Sequence, residues 1–168
     1  MVLTKPELIA SLQNEVRILL HLATKIEPSM YDYRPTPGQR STIEWLKYLA
    51  VMGPVCVKSA LAGGFDQAAW VERQTALADK DFAATVAAIA ALPAEYTTLL
   101  SGVPDEAFRK EVEKFGHKSS VGAFLVNSVL GAYAAYRTQI FCYLKSCGRS
   151  ELGTMNLWAG MDPVPAAV

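Results

Sequence analysis

The side chains best suited to metal ligation or nucleophilic chemistry are two histidines, His21 and His117, and three cysteines, Cys56, Cys142 and Cys147. A structural or catalytic ion needs three or four converging imidazole, thiolate or carboxylate donors. His21 falls between the apolar positions of a helical segment and His117 lies in a polar stretch, so both read as surface or capping residues. The cysteines are odd in number and show no CxxC spacing. Cys142 and Cys147 would point about 140° apart on a helix, which makes a shared ion difficult. All three read as free thiols. Ser41 could be a nucleophile, but no histidine is placed to activate it and a capping role accounts for it. The mixed-charge runs Asp79–Asp81 and Glu111–Lys114 fit solvated faces, and neither a paired-carboxylate site nor a glycine-rich phosphate loop can be placed.

These residues need elements to hold them. Between Lys5 and Glu27, Leu8, Leu12, Val16, Leu19 and Ile26 recur at three- and four-residue steps behind Thr4, an N-cap, and Pro6 in the first turn. Pro28 to Gln39 reads as a loop, because Arg34-Pro35 and Pro37-Gly38 enforce extended or turned backbone. Ser41 to Glu44 has the spacing of a capping box, and Trp45, Leu46, Leu49, Met52 and Val55 continue it as a second helix. Pro54 should kink this helix and Gly63-Gly64 should end it. Phe65 to Ala78 is ambiguous, although Trp70 suggests packing against the rest. A third helix is predicted from Asp81 to Leu100, kinked at Pro93. The stretch Val103 to Lys118, with Phe108, Val112 and Phe115 among charges, reads as irregular or short extended structure. Ser119-Ser120 then cap a last helix that runs to about Cys147. In the tail, Trp158 is a candidate anchor, and prolines at 163 and 165 preclude a long helix. No strand pattern competes with the helices.

A chain of 168 residues, 51% of them hydrophobic, can bury one core, and the expectation is a single domain over 1–168. Lys plus Arg and Asp plus Glu both number 16, which leaves no global field for nucleic acid or an anionic membrane. The N-terminus carries charge where a signal peptide needs an apolar run, and the apolar stretch Val121 to Ala135 is shorter than the roughly 20 residues of a membrane span. Together with the unpaired cysteines this reads as a cytoplasmic protein with no nucleic-acid or membrane partner.

Three local features resemble the DinB-like superfamily, which includes bacterial thiol-dependent S-transferases and mycothiol-dependent maleylpyruvate isomerase. They are Tyr33-Arg-Pro ahead of the helix Ser41-Thr-Ile-Glu-Trp-Leu-Lys-Tyr-Leu-Ala50, then Tyr136-Arg-Thr-Gln139, similar to the family's His-Arg-Gly-Gln, and the ending Tyr143-Leu-Lys-Ser-Cys-Gly148. The resemblance implies an all-α four-helix bundle with longer loops after helices 2 and 3. It also implies three histidine ligands, one on the second helix and two on the last, at positions that correspond here to Tyr48, Ala132 and Tyr136. None is histidine, so the expectation is no metal and no cofactor.

On that mapping Tyr48 and Tyr136 converge, with Ser128, Ala132 and Gln139 nearby. Either the two rings fill the former metal site, hydroxyls bonded to each other, Ser128 or Gln139, or they line a polar pocket; filling is the favoured expectation. Ser41, Glu44 and Arg137 take structural roles, with Arg137 either pairing with a carboxylate such as Glu44 or holding loop carbonyls. The function expected is binding of a small apolar or amphipathic molecule, or assembly, with a homodimer through an exposed apolar face. The enzyme alternative is a divergent thiol S-transferase.

Overall fold

In the computed structural model, which describes residues 3–114 and 116–163, the capping residues open the helices as their chemistry requires. Thr4 and Glu7 form a reciprocal capping box at the start of α1 (Lys5–Ala23), with the Thr4 N–H donating to the Glu7 carboxylate at 2.7 Å. Leu8, Leu12, Val16, Leu19 and Leu22 form its buried stripe. Ser41 and Glu44 repeat the device at α2 (Thr42–Ala62), where the Ser41 N–H donates to Glu44 Oε2 at 2.7 Å. The helix ends at Gly63, whose φ of +82° is the left-handed conformation glycine adopts without a Cβ penalty.

Pro54 lies inside α2, and the helix continues through it. Its neighbour Gly53 faces two buried tyrosine hydroxyls. The Tyr133 hydroxyl donates to the Leu49 carbonyl at 3.1 Å, so its one proton is committed and Tyr96 must donate to Tyr133 across their 2.7 Å contact. Any Cβ on residue 53 would meet both hydroxyls.

The ambiguous segment forms α3 (Gln67–Ala78), started by Asp66, which accepts from the Ala69 N–H at 2.9 Å. No α3 residue is fully buried, which is why its sequence lacks an apolar stripe. Polar ties hold it: Lys47 Nζ donates to the Ala78 carbonyl at 2.6 Å, and Arg73 makes a two-pronged pair with Glu95. The third predicted helix is divided at Ala91 into α4 (Phe82–Ala90) and α5 (Leu92–Leu100). Phe82–Leu100 is the one described helical stretch long and apolar enough to cross a membrane, in place of Val121 to Ala135, but its Ile89, Leu92, Tyr96 and Leu100 are buried in the bundle.

The stretch expected to be irregular or short extended structure holds two short strands. After a short 3-10 turn (Asp105–Arg109), β1 (Glu111–Lys114) pairs antiparallel with β2 (His117–Ser120), with Lys114 opposite His117. Four-residue strands bearing one buried side chain, Val112, give too short an alternation to stand out. Gly116, at φ +76°, serves the turn; Phe115 and Pro165 lie outside the described residues.

Ser120 caps the last helix, which comprises α6 (Val121–Phe124), a π-helical segment (Leu125–Leu130) and α7 (Gly131–Ser146). The bundle is therefore α1, α2, α4–α5 and α6–α7, with α3 and the hairpin outside it. The tail returns along α1 as a second π turn (Met155–Ala159). Trp158 is not its anchor, since it is 63% exposed; Leu152 and Asn156 are buried instead, and Arg17 donates to the carbonyls of Ala159 and Gly160.

Candidate functional site

Between α2, α3 and the last helix lies a cavity of about 790 Å³. From α2 come Tyr48, Met52 and Cys56 at four-residue steps; from the last helix come Ser128, Ala132 and Tyr136, again at four-residue steps. Ser128 belongs to the π-helical segment, where one extra residue per turn re-aims side chains, a feature frequent at functional sites. Trp70 of α3, Phe65 and Lys114 of β1 also line it.

The walls are chiefly aromatic. Tyr48 and Tyr136 meet edge to face with centroids 5.3 Å apart, Trp45 stacks on Tyr136 at 4.4 Å, and Trp70 meets Tyr48 at 5.7 Å. Burial, and after it the neighbouring Tyr136 phenol, pushes the Tyr48 hydroxyl up to about 12, so at neutral pH it is a proton donor rather than an anion. Burial also raises the Cys56 thiol against the opposing pull of Lys114, whose ammonium sits 3.9 Å from the sulfur.

Four residues expected at the site, Tyr48, Ser128, Ala132 and Tyr136, thus come to one cavity. The expectation that the tyrosine rings fill it is corrected: both are half-buried at its edge, because a methyl at Ala132 and a hydroxymethyl at Ser128 leave room that two rings packed on Trp45 do not occupy. Gln139 does not line the cavity. Its amide donates to the Tyr143 hydroxyl at 3.4 Å, which also accepts from the Trp45 indole and donates to the Arg40 carbonyl, a network that fixes Trp45 behind Tyr136. Ser41 and Glu44 are engaged in the cap, and Glu44 pairs with Arg34 rather than Arg137. Arg137, 1% exposed, instead faces Glu15 of α1 at 3.5 Å, with the Trp158 ring 5.6 Å from the guanidinium carbon. Among the described residues its Nε and Nη1 have no hydrogen-bond partner.

Trp70, Phe65 and Lys114 went unassigned in the sequence because each sits on an element without clear periodicity. A second cavity, of about 670 Å³, adjoins Tyr48 on its other side and contains Arg34, Arg40 and Lys47.

The two phenols and one methyl at Tyr48, Tyr136 and Ala132 do not fit a first-row divalent ion. A neutral phenol is a poor ligand and a methyl offers no donor atom. Among the described residues no group of three His, Cys, Asp or Glu side chains could hold a metal.

The fold is that of the DinB-like proteins. The chain superposes on a DinB-like protein, YjoA, from Bacillus subtilis with a TM-score of 0.66 at 17% identity, covering 87% of this chain and 94% of that one. A structure described as a DinB family member from Exiguobacterium sibiricum matches equally, with a TM-score of 0.66 at 20% identity over 91% of this chain and 99% of that one. No protein-family model and no curated protein matches the sequence.

Proposed function

We infer that this chain is a small-molecule-binding bundle of DinB-like fold, whose site is the aromatic cavity at Tyr48, Ser128, Ala132 and Tyr136 in place of a metal centre. The observation that carries the reading is the cavity itself: about 790 Å³, within the range of small-molecule sites. Its mixture of rings with a few hydroxyls suits an apolar or amphipathic guest. Replacement of Ala132 by Phe tests it, since the new ring enters the cavity rather than the core. Small-molecule binding followed by tryptophan fluorescence should be abolished while the melting temperature stays near that of the parent; unimpaired binding contradicts the reading.

The same reading places the protein in a reducing cytoplasm, supported by three unpaired cysteines of which Cys142 is exposed. It also includes pairing of two copies through the face bearing Trp158, Met155 and Met161, supported by their exposures of 63%, 42% and 47%. A concentration-independent monomer in light scattering would remove the pairing.

A further inference from the structure

The two cavities on either side of Tyr48 follow one seam. α2 supplies Lys47, Tyr48 and Val51 to one and Tyr48, Met52 and Cys56 to the other. One face of α3 supplies Gln74 and Leu77 to the first and Trp70 to the second. The Tyr48 ring lines both cavities and meets Trp70 of the second at 5.7 Å.

Their chemistry differs sharply. The aromatic cavity has Lys114 and Glu113 at its edge, charges that offset one another. The other carries Arg34, Arg40 and Lys47 against the single carboxylate of Glu44. Glu44 accepts from the Ser41 N–H and pairs with Arg34 at 3.4 Å, so its charge is engaged locally; Lys47 is bound to the Ala78 carbonyl. Arg40 is different. Its guanidinium lies 4.4 Å over the Tyr48 ring and 5.0 Å over Trp45, and among the described residues its N–H groups make no hydrogen bond. Contact with two rings that stand at 89° to each other fixes the position of the guanidinium and leaves N–H donors for carboxylate or phosphate oxygens. The group is exposed, so a ligand can reach it.

We propose that the two cavities form one bipartite site for an amphipathic organic anion, its apolar body among Trp70, Tyr136 and Phe65 and its anionic oxygens on Arg40 across the Tyr48 ring. This rests on the reading of the aromatic cavity as a binding site and adds to it the charge of the ligand and the residue that selects it. Lys47 and Arg34 supply the surrounding positive field, which salt should weaken.

Three probes sharing one phenylhexyl body separate the two claims: phenylheptanoate, phenylhexanol and phenylhexylammonium, titrated into the full chain by calorimetry. The neutral alcohol reads the aromatic cavity alone. The carboxylate should bind about tenfold or more tighter than the ammonium probe, as one charge-assisted fork implies. That preference should shrink in about 0.5 M salt. Arg40→Gln should erase it while the alcohol binds as before, and because Arg40 is exposed the variant should melt like the parent. Equal affinity for the charged probes, a preference for the cation, or a preference that survives Arg40→Gln overturns the bipartite site and leaves the cavity reading intact. Absence of binding by all three overturns both.

Discussion

Replacing Tyr136 by alanine separates a wall from a plug. Tyr136 is half-buried, packs its ring against Trp45 and Tyr48, and borders open cavity on its remaining side. Each aromatic pair contributes about 0.5–1.5 kcal/mol beyond area burial. No enclosed void is created, because the space vacated joins one that exists, so the cavity penalty of a closed core is absent. The cost should therefore be about 1–3 kcal/mol, below that of a fully enclosed ring. Tyr133 is the internal standard: fully buried on the same helix, it also bonds Tyr96 and Leu49, and its truncation should cost about 3–5 kcal/mol. Urea denaturation of the two variants, with unchanged slopes, measures the difference. If Tyr136→Ala destabilised as much as Tyr133→Ala, the ring would be a core plug and the cavity would not be a site.

Other consequences are independent of any ligand. Gly53→Ala forces a methyl against the Tyr96 and Tyr133 hydroxyls and should destabilise by about 1–3 kcal/mol, with the near-ultraviolet circular dichroism of the tyrosines altered. Purified protein incubated with Zn, Ni or Fe and desalted should retain no stoichiometric metal by mass spectrometry, since the donors at Tyr48, Ala132 and Tyr136 do not suit such an ion. Burial raises the Glu15 carboxyl, with Arg137 opposing, so the fold favours its protonated form. That contribution is complete below the ordinary carboxylate range and is lost as pH rises through and above it. Stability measured against pH should show this decline in the parent, and Glu15→Gln should remove it; an identical slope in both would refute the assignment.

The parts of this architecture most legible in sequence were those specified by local chemistry. Thr4-Glu7 and Ser41-Glu44 are capping boxes whose hydroxyl and carboxylate answer orphan N–H groups within four residues, and Gly63 ends α2 by its own backbone freedom. The stripe of α1 was legible because every third or fourth residue faces the core. α3 was not, since only Trp70 and Leu77 pack on the core while Lys47 and the Arg73–Glu95 pair hold the rest, and side-chain pairing across 22 residues leaves no periodic trace. Arg137 was recognisable as structural, yet its partner was misassigned to Glu44: the neighbour of α7 at that level is α1, which brings Glu15. At the candidate site, Tyr48, Ala132 and Tyr136 followed from family resemblance and Ser128 from helical spacing on the same face. Whether the space between them was full depended on ring positions set by Trp45 and the Tyr143 network, information that no spacing contains.

The most direct test of the central claim is a titration of phenylhexanol into the parent protein and into Ala132→Phe, monitored by tryptophan fluorescence. Trp70 lies in the cavity wall and Trp45 stacks behind Tyr136, so occupancy should change the emission of both. Saturable binding to the parent and none to a variant with an unchanged melt is the predicted result; equal binding to both, or none to either, would contradict a ligand site in this cavity.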